Sequence, residues 1–269
     1  MNNNIRELWR LYCKFPNSME YGNKVELLVD GEQAYPAMLT AIENAEKTIL
    51  MDSYIFNDDL AGNIFAEALM SASRRGVKVY LIVDAVGVIG VSDTFFHVMK
   101  NAGVKVLKYR SLQPWRRSFG FLKRNHRKML VTDNRIGFVG GINIGDEWLP
   151  TSMGGLGWHD IHICVHGPIV RELSRLAVST WHSHGNEVLD PTEFLPQVSL
   201  AGTEYVSVVG SLERRKRKAI RGSYLQAIKT SKKYIYIANA YFLPDMGFRR
   251  ALRNAVQRGV DVRIMVPEK

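Results

Sequence analysis

Cysteine is nearly missing from this chain: two residues, Cys13 and Cys164, among 269. So few thiols exclude a disulfide framework as the organising device and suit a reducing compartment. Long apolar runs are missing too. None approaches the roughly 20 residues that a membrane-crossing helix needs, so no transmembrane segment is expected. The opening stretch MNNNIRELWRLYCKF interrupts its apolar pattern with charges and lacks the form of a secretory leader. Acidic residues are outnumbered, 26 Asp and Glu against 36 Lys and Arg, for a formal net charge of +10. From Lys105 to Lys128 there is no acid at all, and the cluster ERRKRK follows at 213–218. Such a surplus favours nucleic acid, anionic lipid headgroups or another phosphorylated partner. What is present is ordinary for a folded protein: 46% hydrophobic residues, in a chain long enough to bury a sizeable core.

The hydrophobic pattern switches period repeatedly. KVELLVD (24–30) alternates as a strand does, EQAYPAMLTAIENAEK (32–47) has helical spacing, and TILMDSYIF (48–56) returns to strand. A helix over about 61–75 stops at Gly76, and the apolar strand VKVYLIVD follows. This alternation predicts an α/β fold, a mixed sheet flanked by helices on both faces. It also repeats. AIENAEKTILMDSYIFNDD (41–59) realigns with AIKTSKKYIYIANAYFLPD (227–245), and RRGVKVYLIVD (74–84) with QRGVDVRIMVP (257–267). Two helix–strand matches in the same order indicate a duplicated fold. The expected organisation is an N-terminal arm over 1–23, one complete half over 24–190, and the start of a second half over 191–269.

The chemistry concentrates in NHRKMLVTDNRIGFVGGIN (125–143). Written as spacing it is His126-x-Lys128-x4-Asp133-x6-Gly140-Gly141-x-Asn143. His126 and Lys128 are two apart, so on a strand both side chains point to one face, with Arg127 and Met129 on the other. Asp133-Asn134 is a hairpin-turn signal that brings Gly140, Gly141 and Asn143 back toward His126. A neutral imidazole can attack phosphorus and split one hard displacement into two easier ones. Lys128 and Asn143 would stabilise the phosphate oxygens as charge develops. Gly140 and Gly141, lacking Cβ, would let backbone approach a bound oxyanion. A second histidine must protonate the leaving alkoxide and later deprotonate the incoming alcohol or water. Neither metal nor cofactor is required. His159 and His162 are the next histidines to test as nucleophile.

The pattern resembles the signature of the phospholipase D superfamily, whose enzymes carry two such motifs across a pseudo-twofold site. DSYIFNDDLAG (52–62), RRGVKVYLIVDAVG (74–87), WHDIHICVHGPIV (158–170) and ANAYFLPD (238–245) resemble one branch of it, the bacterial cardiolipin synthases. The resemblance implies that His126 is the nucleophile, that Lys128 and Asn143 bind phosphate and that Asp133 orients the site. It implies transfer of a phosphatidyl group from phosphatidylglycerol to an alcohol acceptor, at the cytoplasmic face of a bacterial membrane. This chain contains one motif where the family has two. A homodimer or a C-terminal half outside these residues would complete the site; a dimeric nuclease or an inactive membrane-binding fragment are the rival readings.

Two further stretches bear on that choice. The loop YRSLQPWRRSFGFLKRN (109–125) mixes Arg116 and Arg117 with Trp115, Phe119 and Phe121, a composition suited to a bilayer interface. Aromatics could also stack on bases, which keeps single-stranded nucleic acid as the weaker alternative. HDIHICVH (159–166) places Asp160, His162, Cys164 and His166 on one strand face, but neighbours two apart stand about 6.8 Å from each other. At most two of the four could share one ion, so a half-buried strand is expected, with Ile161, Ile163 and Val165 on its core face.

Overall fold

The computed structural model describes residues 19–110, 124–210 and 219–267. Trp115, Arg116, Arg117, Phe119 and Phe121, the ERRKRK cluster and most of the N-terminal arm lie outside the described residues. The chain divides into two compact units, one of them Glu20–Val208.

That unit opens with β1 (Glu20–Val29) and α1 (Asp30–Glu43), followed by β2 (Thr48–Ser53), α2 (Leu60–Arg74), β3 (Lys78–Asp84), α3 (Asp93–Asn101) and β4 (Lys105–Tyr109). From residue 124 onward come β5 (Met129–Thr132), β6 (Ile136–Gly140), β7 (Ile161–His166), α4 (Val170–His184), α5 (Pro191–Phe194) and β8 (Glu204–Val206). The strands form one sheet in the order β4-β3-β2-β5-β6-β7-β1-β8. β2, β3 and β4 run parallel, and every pairing from β2–β5 outward is antiparallel.

Local chemistry accounts for the elements. In α1 the buried residues Ala34, Tyr35, Met38, Ala41 and Ile42 recur at helical spacing. Asp59 caps α2, its carboxylate accepting the Gly62 N–H at 2.8 Å. Gly76, at φ +93°, ends the helical run in the left-handed conformation that glycine adopts without steric cost. One sheet face packs on α1, α2 and α3 through Ile49, Met51, Leu81, Leu130, Phe138 and Cys164. The other packs on α4 through Leu50, Tyr80, Ile82, Met129, Val131 and Val165. Central strands covered on both faces are apolar at nearly every position, and all six residues of β2 are buried.

Three expectations need correction here. β7 does not turn one face outward: His162 and Cys164 are buried on the α1–α2 side and Val165 on the α4 side, while Ile161 is exposed. β8 falls beyond residue 190 yet pairs with β1 in the first unit. His126 and Lys128 precede the strand rather than lie within it, since β5 starts at Met129.

In the second unit, α6 (Ala219–Thr230), β9 (Tyr234–Ala238), α7 (Met246–Gln257) and β10 (Asp261–Met265) form a two-stranded parallel sheet with helices. Ile228, Leu252, Ala255 and Val260 make its core. The repeat reaches the level of register. Thr48 pairs with Lys78 and Leu50 with Tyr80; at the realigned positions Tyr234 pairs with Asp261 and Tyr236 with Arg263. Gly259 takes the same left-handed backbone as Gly76, at φ +85°. No helix among the described residues is long and apolar enough to cross a membrane.

Candidate active site

Asp52, next to last in β2, and Asp84, the last residue of β3, are both fully buried. They clamp the residue before the candidate nucleophile. Asn125 donates its backbone N–H to Asp84 Oδ2 at 2.7 Å and its side-chain amide to Asp52 Oδ1 at 2.6 Å. Arg124 Nη1 lies 3.3 Å from Asp84, and Arg127 Nη1 stands 3.9 Å from the second oxygen of Asp52. Burial, opposed by the Asn125 hydrogen bond and Arg127, pushes the Asp52 carboxyl up to about 7. The segment entering β5 is therefore fixed at the carboxyl ends of parallel strands, where open α/β sheets hold their ligands.

Beyond Asn125 the alternation is as the spacing implied. Arg127 turns to the α4 side and donates to Thr180 Oγ1 at 2.9 Å and to the Leu176 carbonyl at 3.2 Å. His126 and Lys128 meet on the opposite side. Lys128 Nζ is 3.1 Å from His126 Nδ1, 3.3 Å from Nε2 and 3.1 Å from the His126 carbonyl oxygen. The Tyr54 ring backs both, with centroids 4.4 Å from the His126 ring and 5.1 Å from Nζ. Partial burial first, and the Lys128 charge second, lower the pKa of His126. Burial likewise brings Lys128 down to about 8, against Asp160, Asp52 and Asp84. The pair is biased toward a neutral imidazole beside an ammonium, the protonation a histidine nucleophile requires.

Asn143 is buried, and its Oδ1 accepts the Ile55 N–H at 3.1 Å while its carbonyl accepts from Tyr35 Oη at 2.9 Å. With the amide oxygen engaged, the NH2 group is what remains to donate to a ligand.

Asp133 is placed differently from what the resemblance implied. It sits in the β5–β6 turn, where Asp133 and Asn134 have φ of 51° and 54° and the Arg135 N–H donates to the Thr132 carbonyl at 3.0 Å. That is type I′ geometry. Its carboxylate accepts the backbone N–H groups of Glu46 (2.9 Å), Lys47 (2.7 Å) and Thr48 (2.8 Å). The whole of β5, roughly 13 Å of strand, separates it from Lys128, so it ties the hairpin to the loop before β2 and touches no reacting group. Gly140 and Gly141 also serve a different end. A Cβ on Gly141 would stand 2.0 Å from Asp160 Oδ1, and one on Gly140 2.7 Å from His162 Nδ1, so β7 fills the space reserved for an oxyanion. His159 pairs with Asp30 at 2.7 Å, and His162 is fully buried. His162 is thereby closed off, while His159 is exposed and engaged by Asp30. Among the described residues no cluster of three or more His, Cys, Asp or Glu is placed to hold a metal ion.

Asp52, Asp84, Asn125 and Tyr54 escaped the sequence reading. The signal available was an acid at the carboxyl end of each of two adjacent apolar strands, in LMDS and LIVD.

A family model described as "Cardiolipin synthase, PLD-like domain" matches residues 38–152 and 224–269. The cardiolipin synthase of Alkalihalophilus pseudofirmus is 33% identical over 265 residues, covering 97% of this chain and 53% of that protein. The cardiolipin synthase of Listeria monocytogenes serotype 4a is 34% identical over 250 residues, 92% of this chain and 52% of the relative. The chain thus spans about half the length of the curated relatives it matches. Among solved structures, phosphatidylserine synthase of Haemophilus influenzae superposes with a TM-score of 0.68 at 12% identity, over 98% of this chain and 66% of that one, a likeness of fold.

Proposed function

This chain belongs to the phospholipase D-like domain family of cardiolipin synthases, and from that premise we propose that it carries one half of a phosphatidyltransferase site. His126 attacks the phosphorus of phosphatidylglycerol. The bond to the glycerol oxygen breaks, glycerol leaves with a proton, and the phosphatidyl group stays on the imidazole nitrogen. An acceptor alcohol then attacks the same phosphorus, gives up its proton and frees His126. Lys128 and the Asn143 amide stabilise the phosphate oxygens in both steps. The second histidine that shuttles the proton comes from outside residues 1–269, in a longer polypeptide or another chain. The observation that carries this reading is the neutral-biased His126 imidazole against the Lys128 ammonium.

The substrate side of the proposal is an anionic membrane surface met peripherally, at the cytoplasmic face, with Trp115, Phe119 and Phe121 entering the headgroup layer and Arg116 and Arg117 pairing with lipid phosphates. Phosphatidylglycerol vesicles and a single-stranded oligonucleotide, offered at equal phosphodiester concentration, test it. The chain is expected to float with the vesicles and to take alkali-stable label from the lipid, and the Trp115→Ala/Phe119→Ala/Phe121→Ala variant to remain in the dense fraction at equal salt. Label taken only from the oligonucleotide would overturn the lipid reading in favour of a nuclease.

A further inference from the structure

Lys128, one residue ahead of β5, continues the register of the sheet beside Gly140 and His162. The Gly140 N–H donates to the Lys128 carbonyl at 3.3 Å, and Gly140 is the register partner of His162. By alternation the side chains at 128 and 162 share the face of Leu130, Phe138 and Cys164. Residue 140 has no Cβ, and His162 takes the space one would fill: a Cβ there would stand 2.7 Å from His162 Nδ1. On the far side of His162, β1 places Leu28 in register. His162 is 0% exposed, yet neither ring nitrogen has a hydrogen-bond partner among the described residues. Buried polar groups are paired in the great majority of cases, so an imidazole left with two open nitrogens calls for a reason.

The reason lies with Lys128. In this structure its ammonium sits against both His126 ring nitrogens. At nearly equal distances from the two nitrogens the ammonium is committed to neither lone pair, and it must turn toward a bound phosphate to stabilise it. We propose that His162 is a positioning residue for Lys128: its ring nitrogen accepts one ammonium proton once a phosphate draws Lys128 off His126, aiming the other two at the phosphate oxygens. An ammonium has three donors to distribute in this way. Burial first and Lys128 second pull the pKa of His162 down to about 4, so the ring remains an acceptor through the neutral range. Asp160, which also acts on Lys128, is already occupied by the Ile161 N–H and Trp148 Nε1.

The proposal rests on the phosphate-site reading, and side-chain nitrogen NMR of the full chain separates the two. Saturating inorganic phosphate is expected to shift the ring resonances of both His126 and His162 in the wild type, with no substitution in the core. In Lys128→Met the His162 response should vanish and its titration midpoint should rise. His162→Leu should bind phosphate about tenfold more weakly, the worth of roughly one charge-assisted hydrogen bond, and His162→Gln, which keeps an acceptor, should recover most of the loss. If phosphate moves His126 but leaves His162 unmoved, or if the His162 midpoint is unchanged in Lys128→Met, this proposal fails and the phosphate site stands. If phosphate moves neither histidine, the phosphate site itself fails and takes the proposal with it.

Discussion

Asp133→Ala is expected to destabilise the first unit by about 2–4 kcal/mol, with no direct effect on the groups around His126. The carboxylate satisfies three successive backbone N–H groups, of Glu46, Lys47 and Thr48. Hydrogen bonds to a charged group contribute roughly 1.5–3 kcal/mol each, and partial exposure discounts these toward the lower end. Alanine also adopts φ near 51° less readily than aspartate, at a cost of order 1 kcal/mol. Asp133→Asn, which tolerates the left-handed turn and keeps one acceptor oxygen, should lose markedly less. Urea titration measures both. A wild-type midpoint in Asp133→Ala, combined with a large loss of phosphoryl chemistry, would return Asp133 to the reacting centre.

Lys128 carries the second large effect. Removing a preorganised donor aimed at developing negative charge typically costs 10²–10³-fold in rate, and Lys128→Met should lose about that much in formation of the covalent intermediate. The pH profile should change shape as well. His126 must be neutral to attack, so the wild-type rate falls as pH drops through the His126 pKa, which lies below the ordinary histidine value. Lys128 must be charged to stabilise the phosphate, so the rate also falls as pH rises past about 8. Deleting the ammonium removes the alkaline limb. It moves the acid limb upward too, because the Lys128 charge is the second cause holding His126 down. A wild-type profile in Lys128→Met would assign those limbs to other groups.

What could be read from the sequence was local. The β5–β6 turn announced itself in Asp-Asn, two residues that accept positive φ. The common face of His126 and Lys128 follows from a spacing of two. The repeat was legible because helix, glycine stop and strand recur in order, and Tyr234–Asp261 pairs in the register of Thr48–Lys78. What escaped depends on strands distant in sequence. The Asp52–Asn125–Asp84 clamp joins three segments through the sheet order β3-β2-β5, which composition does not reveal. β7 misled because its alternation suggests one wet face, whereas an interior strand is covered on both sides. Gly140 and Gly141 are small for the sake of His162 on the neighbouring strand and Asp160 just before it.

The central proposal is that His126 is the nucleophile. It is tested most directly with phosphatidyl-p-nitrophenol in mixed micelles, because nitrophenolate departs without needing a proton. The account predicts a burst of about one nitrophenolate per chain from the wild type, followed by slow turnover, as accumulation of a covalent intermediate requires, and no burst from His126→Ala. An undiminished burst in His126→Ala would contradict it.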